Sequence, residues 1–558
     1  MGLGWCVCLS VSVCVSVSLS QVSCCYLSPL YTQLPSMGSG VTGQFVPLSE
    51  KLHLPTEQVN FVVCQLFGLL TAFLFRKYLH PSKTSPIVRH TVATLFGLYF
   101  AFFCFGRFVV HFLLEVMLSY CVLVTIDVKR VHKYSFVAAM GYLTVCQIIR
   151  VYALDGKEHS ADFSGPLMVI TQKVTKLAFE IHDGLARDDV QLSPSQKRLA
   201  VRRVPSLLEY LSYNLNFMGI LAGPAVSFNH YIDFIEGSKV EVKPVCPPGI
   251  NSDNCQKHDP SPLSAVGRKV LSSSVSLLMH LTLLKTFPLA YNTDEEFVRT
   301  ASFPRRCFYL YASLLACRPK YYFVWTMADA INNAAGFGFS GYDENGRARW
   351  DLTCNLNIMK IEFATSMKQF IDNWNIQTAA WLKEICYDRC SFSPTITTFF
   401  LSAVWHGVYP GYYLTFITGS FMTLASRSVR KNLRPHFLVS RRRRCLYDMV
   451  TWATTQLMVS YTVAPFVLLF ADSSLAFYRS WYFCFHILTG VLVLVLPQKP
   501  RQTERKEQVE SKEQAESEEQ TERKGSSPTC LLNGHWERNG RTITDANRNQ
   551  TREGKTII

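Results

Sequence analysis

Charged residues are scarce in this 558-residue chain, which carries them at only 17% of its positions. Soluble domains usually carry about 25% charged residues. The scarcity, together with 48% hydrophobic residues and several uncharged runs, favours a polytopic membrane protein over a soluble one. The chain also lacks the paired CxxC spacing of a zinc site. Its 19 scattered cysteines are typical of small buried apolar residues, and we predict no metal site.

A nucleic-acid-binding motif is missing as well, although the net charge is +15. The basic residues lie between apolar segments, which argues against a nucleic-acid partner. On a membrane protein such charge favours loops that contact anionic headgroups, or a site for an anionic substrate.

One long stretch, Ser391 to Ser426, contains no Asp, Glu, Lys or Arg and has His406 at its centre. Gly407 and Pro410 follow His406 closely, so the backbone there should depart from plain helix. Irregular backbone at membrane depth must face protein or a water-filled cavity, and an ionisable residue beside it is usually functional. The sequence therefore predicts an intramembrane cavity that contains the imidazole of His406.

The apolar pattern predicts an all-α polytopic membrane protein with roughly ten to eleven transmembrane or re-entrant helices around this catalytic cavity. Charged residues inside several spans should face other helices rather than lipid. The predicted spans lie near 59–76, 89–106, 108–127, 135–154, 167–182, 207–229, 268–291, 306–331, 394–426, 448–470 and 475–497.

Three regions differ in composition. Residues 1–45 form an atypical leader that we expect to be disordered, 46–497 form the membrane domain, and 498–558 form a charged, disordered tail with a six-residue repeat from Glu507 to Lys524. The loop after Ser426 is rich in arginine and the loop 471–474 has none, so the positive-inside rule predicts a cytoplasmic tail.

Amide side chains supply the remaining candidates. Asn373 and Asn375 flank Trp374, and either could start a helix or donate to a developing oxyanion. Histidine and asparagine without a nearby nucleophile suit general-base chemistry on a substrate hydroxyl. Further side chains that could line a substrate site are Trp405, Asn332, Asn333, Tyr321 and Asn216.

Four strings carry a family resemblance over roughly residues 47–497: SLLEYLSYNLNFMGILAGP (206–224), PKYYFVWTMADAINNAAGFGF (319–339), DNWNIQT (372–378) and SAVWHGVYPGYY (402–413). The chain resembles the membrane-bound O-acyltransferase family, in its lysophospholipid acyltransferase branch. The family's catalytic histidine falls on His406 and its asparagine on Asn375, with Asn373 the alternative.

The resemblance implies a multi-pass enzyme of the endoplasmic reticulum without a permanent cofactor. It would transfer an acyl group, monounsaturated such as oleoyl, from acyl-CoA to lysophosphatidylethanolamine, lysophosphatidylcholine or lysophosphatidylserine in phospholipid remodelling. Two alternatives stay open: an acyltransferase that acts on a peptide or sterol, and a non-enzymatic lipid transporter. The leader and the tail repeat depart from the family pattern, and neither touches the proposed site.

Overall fold

The computed structural model of the chain describes residues 45–52, 55–154, 162–238 and 260–496. The predicted tail lies outside these residues, as does the predicted leader apart from Phe45. The described part is almost entirely helical, as the sequence predicts. The α-helices, α1 to α20 in chain order, are Val46–Leu52, Thr56–Tyr78, Pro86–Phe105, Val109–Thr125, Val131–Ile149, Ser164–Leu185, Pro194–Leu199, Leu207–Leu215, Phe228–Glu236, Leu263–Thr286, Glu295–Thr300, Phe303–Ala335, Ile358–Glu362, Met367–Asn373, Ile376–Leu382, Pro394–His406, Pro410–Phe437, Arg441–Leu468, Ala471–Ser480 and Cys484–Val495.

Strands are confined, within the described ranges, to one short hairpin. β1 (Gly341–Tyr342) pairs antiparallel with β2 (Ala348–Arg349). Two π-helical turns, Arg150–Leu154 and Lys383–Tyr387, continue α5 and α15.

Only some of the predicted spans correspond to helices that are clearly long enough to cross a membrane. Within the described ranges, four helical segments are long and apolar enough to cross a bilayer: Thr56–Tyr78, Pro86–Thr125, Val131–Ala153 and Leu263–Thr293. α19 and α20 together could form a fifth, although they meet at a 74° bend. The predicted number of ten to eleven crossings is therefore not confirmed by length and composition, because the longer helices α6, α12, α17 and α18 carry charged residues.

The predicted span 207–229 consists of two helices with a break between them. α8 ends at Leu215, and turns around Gly219 and Gly223 separate it from α9. A Cβ on Gly223 would lie 2.2 Å from the Gly219 Cα, so the chain folds back on itself too tightly for a side chain. The Gly and Pro residues that interrupt the apolar run thus end the helix rather than bend it.

α6 is the most enclosed helix, although it carries four charges. Lys173, Lys176, Glu180 and Asp183 are all buried. Lys176 forms a 2.6 Å ion pair with Glu384, and Asp183 accepts a hydrogen bond from Arg389 Nη1 at 2.9 Å. The prediction that charged residues within apolar segments face other helices is confirmed here.

The described helices pack around two hydrophobic cores. The larger one contains Trp381 and Trp405 and extends through the N-terminal helices. The second contains Phe370 and Tyr461, and Trp374 packs against it. The segment 374–381 therefore leads from one core to the other, and the candidate residues lie at this junction.

Candidate active site

His406 is the last residue of α16, and the helix ends because Gly407 follows it. Gly407 has φ 137° and ψ −163°, a conformation essentially restricted to glycine. α17 then begins with Pro410 at its first position. The predicted departure from helix directly after His406 is confirmed.

α16 and α17 form a hairpin rather than the single crossing predicted for 394–426. Arg427, far along α17, donates from Nη1 to Thr395 Oγ1 at the start of α16, at 3.3 Å. α16 has 13 residues and is about 20 Å long, too short for a hydrocarbon core of about 30 Å. His406 therefore lies at the hairpin apex. The opposite end, called here the basic end, is marked by Arg427, Arg430, Lys431, Arg434 and Arg441–Arg444.

Aromatic rings enclose the imidazole of His406. Phe416 stacks on it with ring centroids 5.0 Å apart, Phe466 meets it edge-on at 5.0 Å, and Tyr412 lies at 5.7 Å. The residue is nevertheless only half-buried. Among the described residues, none forms a hydrogen bond with either ring nitrogen of His406. A histidine inside the protein that keeps accessible surface and open nitrogens can exchange a proton with a substrate.

Asn375 occupies the N-cap position of α15 in a left-handed conformation, with φ 50° and ψ 54°. Asparagine tolerates this region better than most side chains. Its Oδ1 accepts a hydrogen bond from Asn355 Nδ2 at 3.0 Å, and Asn355 Oδ1 accepts from the Gln377 N–H at 3.0 Å. Because a backbone N–H only donates, it fixes the orientation of both amides. The Nδ2 of Asn375 donates no hydrogen bond to any described residue and remains available to a ligand.

Asn373 is placed differently from Asn375. It ends α14 rather than starting a helix, so that prediction is wrong for Asn373. Its Nδ2 donates to the Gln369 carbonyl at 2.8 Å. This local hydrogen bond occupies the amide, and the geometry favours Asn375 over Asn373 as the candidate donor.

α6 contacts both α15, which begins after Asn375, and α16, which ends at His406. Gln172 Nε2 donates to Thr378 Oγ1 at 2.9 Å, and Trp381 Nε1 donates to Thr175 Oγ1 at 3.0 Å, which fixes α15. One turn earlier, the Met168 carbonyl accepts from Trp405 Nε1 at 3.0 Å, which fixes α16. Sequence reasoning missed this role of α6. The available signal was its run of polar side chains inside an apolar segment.

Gln147, on α5, is a second residue that sequence reasoning missed. It is buried, and its Nε2 donates to the Trp405 carbonyl at 3.0 Å. A Cβ on Gly407 would lie 3.6 Å from its Cδ, so the amide packs against the helix end beside His406. Gln147 therefore holds the backbone on both sides of the candidate base.

An aromatic side chain accompanies each candidate. Trp374, next to Asn375, lies with its ring 5.6 Å from that of Tyr321. Tyr321 is half-buried, so this predicted lining residue keeps some exposed surface near Asn375. Tyr412 lies beside His406.

The other predicted lining residues are packed inside the protein. Asn332 donates to the Met218 carbonyl at 3.2 Å, and Asn333 donates to the Trp350 carbonyl at 3.3 Å. Asn216 donates to the Ser212 and Tyr213 carbonyls. Trp405 is 4% exposed, and its indole N–H bonds to α6. Their burial argues for a structural rather than a lining role.

A groove of about 520 Å³, the α14–α17 groove, opens at the basic end. Lys368, Arg427, Arg430 and Lys431 line it together with Asp372 and Asn373, and Lys368 pairs with Asp372. Four cations and one carboxylate suit a polar anionic ligand. The described residues contain no cluster of three or more His, Cys, Asp or Glu side chains that could hold a metal ion.

Comparison with known proteins identifies the family of the chain. The family description "MBOAT, membrane-bound O-acyltransferase family" matches residues 59–467. Membrane-bound glycerophospholipid O-acyltransferase 2 of Gallus gallus is 59% identical over 473 residues, which cover 84% of this chain and 91% of that protein. Membrane-bound glycerophospholipid O-acyltransferase 1 of Mus musculus is 53% identical over 460 residues, 82% of this chain and 94% of that protein.

A more distant relative is lysophospholipid acyltransferase 6 of Drosophila melanogaster. It is 40% identical over 465 residues, which cover 83% of this chain and 64% of that protein. The family match extends over more than half of the chain and contains both Asn375 and His406. This protein is therefore a member of the membrane-bound O-acyltransferase family.

Proposed function

We propose that this protein is a lysophospholipid acyltransferase that moves a fatty acyl group from acyl-CoA to the free hydroxyl of a lysophospholipid. The observation that carries the proposal is that His406 and Asn375 each have side-chain nitrogens to which no residue in the described part of the chain bonds. The relatives' names support a glycerophospholipid acceptor. The proposed acceptors are lysophosphatidylethanolamine, lysophosphatidylcholine and lysophosphatidylserine, with a monounsaturated donor such as oleoyl-CoA.

His406 would act as the general base. Its open ring nitrogen takes the proton of the glycerol hydroxyl while the hydroxyl oxygen attacks the thioester carbonyl. The tetrahedral intermediate then collapses, the carbon–sulfur bond breaks, and the imidazolium returns the proton to the CoA thiolate. General-base assistance of this kind contributes about 10²–10⁴-fold.

Asn375 would stabilise the oxyanion. Its Nδ2 has two N–H donors and carries no charge, and the Asn355 hydrogen bond holds the amide in position. A preorganised donor at an oxyanion contributes about 10²–10³-fold. The rigid left-handed turn at Asn375 supplies this preorganisation.

The α14–α17 groove would receive the phosphates of acyl-CoA at the basic end. Asn373, the last residue of α14, lines the groove, and Asn375 follows it two residues later. The lysophospholipid would arrive laterally from the bilayer. The positive-inside rule supports a cytoplasmic basic end and tail in a multi-pass protein, and we place it in the endoplasmic reticulum.

Acyl transfer in microsomes tests the proposal. The assay uses labelled oleoyl-CoA, a panel of lysophospholipids, wild-type protein, His406→Ala and the matched histidine control His486→Ala. We expect transfer by wild type and by the control, scaled to the folded amount, and none by His406→Ala. Well-folded wild-type protein that acylates no lysophospholipid would contradict the proposal and direct the search to peptide or sterol acceptors, then to lipid transport without CoA consumption.

A further inference from the structure

The first turn of α18 concentrates positive charge where a helix tolerates it least. It begins Arg441, Arg442, Arg443 and Arg444 and has no acidic residue. A helix N-terminus already carries a positive partial charge of about half an elementary charge. Within the described residues, the only ion pair of this run is Arg444 with Asp448 at 4.0 Å, and both side chains are exposed. Such a pair contributes little, so the charge is left largely uncompensated.

Two of these arginines line a groove of about 560 Å³, called here the α18 groove. Arg441, Arg444 and the one carboxylate of its lining, Asp448, form one end, which keeps a net positive charge. Phe363, Met449 and Trp452 form an apolar wall. Phe363 is 60% exposed and Met449 is 56% exposed. A cationic end beside an exposed apolar wall matches a molecule that is itself amphiphilic.

The base of the α18 groove is fixed by hydrogen bonds. Trp452 Nε1 donates to the Glu362 carbonyl at 2.7 Å, and Gln456 Nε2 donates to the same carbonyl at 3.0 Å. The Glu362 side chain accepts from Arg318 Nη1 at 2.8 Å. The walls therefore belong to two packed elements, α13 and α18, and a ligand would not have to order them first.

We propose that the α18 groove binds an anionic phospholipid of the surrounding bilayer. Arg441 and Arg444 contact its phosphate, and its acyl chain lies along Phe363, Met449 and Trp452. The α14–α17 groove contrasts with this site, because all of its lining residues are polar or charged, Gln369 and Asp372 among them. The inference does not depend on the catalytic roles of His406 and Asn375.

The test uses the purified full-length protein in a neutral detergent, titrated with phosphatidylserine that carries brominated acyl chains. Bromine quenches nearby indoles, so we expect saturable quenching, a large part of which is lost in Trp452→Phe. Arg441→Gln/Arg444→Gln should weaken binding by about 10–30-fold, since each arginine contributes about a factor of five near an anionic surface. The matched control, Arg442→Gln/Arg443→Gln, removes the same charge from the same turn outside the groove and should change binding less than threefold.

Three results would overturn the lipid site. Equal weakening in both double variants would mean that only the general surface charge attracts lipid. Phosphatidylcholine that quenches Trp452 as strongly at the same concentration would show that the arginines do not select an anion. Free coenzyme A or inorganic phosphate that displaces phosphatidylserine at comparable concentration would assign the arginines to a soluble phosphate. The experiment measures lipid binding rather than acyl transfer. A failure of this inference can therefore be told apart from a failure of the proposed function.

Discussion

Two histidines of this protein lie in similar aromatic surroundings and differ in what their nitrogens do. His406 and His486 both pack against α17 and α18. The rings closest to His406 include Phe416 and Phe466, which offer no hydrogen bond. By contrast, His486 Nδ1 is 2.9 Å from the Tyr461 hydroxyl, and its Nε2 is 3.0 Å from Thr418 Oγ1.

The difference separates the proposed base from a structural histidine. Both ring nitrogens of His486 have a partner, as expected for a polar side chain in aromatic surroundings. His406 is enclosed at the end of a helix, and no described residue bonds to its nitrogens. Asn375 and Asn373 repeat the contrast, since only Asn373 donates its amide to its own helix.

The largest effect is expected from His406→Gln. The substitution keeps a polar side chain of similar reach but removes the base, so turnover should fall by about 10²–10⁴-fold. Acyl transfer per folded molecule, with folding measured by thermal melting in detergent, checks this. Retention of more than a tenth of the activity at normal folding would reject His406 as the base.

Asn375→Asp should cost about 10²–10³-fold in turnover. Aspartate keeps the shape and the tolerance for the left-handed turn but has no N–H to donate to an oxyanion. Asn373→Asp is the matched control. Its amide bonds within α14, so kcat should change less than about fivefold. Because Asn373 also lines the α14–α17 groove, the added carboxylate should act on KM for acyl-CoA instead. If the two variants lost activity in the opposite order, the assignment would move to Asn373.

Gln147→Leu should reduce kcat by roughly tenfold and leave KM for both substrates unchanged. The change removes the bond to the Trp405 carbonyl and frees the helix end that carries His406, and small displacements at a reacting group are costly. Steady-state kinetics separate the two constants. Thr144→Val, which removes a local hydrogen bond one turn earlier on the same helix, serves as the comparison. A rise in KM alone would indicate a binding role instead.

The smallest effect on turnover is expected from His486→Phe. It leaves the Tyr461 and Thr418 hydroxyls without their partner, so the free energy of unfolding should fall by about 1–3 kcal/mol. Activity per folded molecule should stay within about twofold. Thermal melting and acyl transfer on the same preparation measure both, and a selective loss of activity would remove the distinction between the two histidines.

The sequence predicts the helix end at His406 because Gly407 and Pro410 are local signals. It predicts the buried charges of α6 for a similar reason, since Lys173 and Lys176 cannot face lipid at low cost. The hairpin of α16 and α17 was not predictable in this way. An uncharged run has the same composition whether it crosses once or returns, and the bond between Arg427 and Thr395 joins distant positions.

The two asparagines show a second limit. Both are strong N-cap residues, and the spacing alone does not decide between them. The choice between them depends on Asn355, which lies in an irregular loop and fixes the orientation of the Asn375 amide. Such a contact depends on how the loop after β2 returns to α15, which no local pattern encodes.

The hairpin also bears on how the protein is assembled. Both ends of the segment 391–426 lie on the face that bears the arginines, and nothing between them carries a formal charge. This segment can therefore enter the bilayer during synthesis from one side without carrying a charged residue across it. Its apex would be about 20 Å deep, given the length of α16. The histidine would reach this depth by insertion of the hairpin alone.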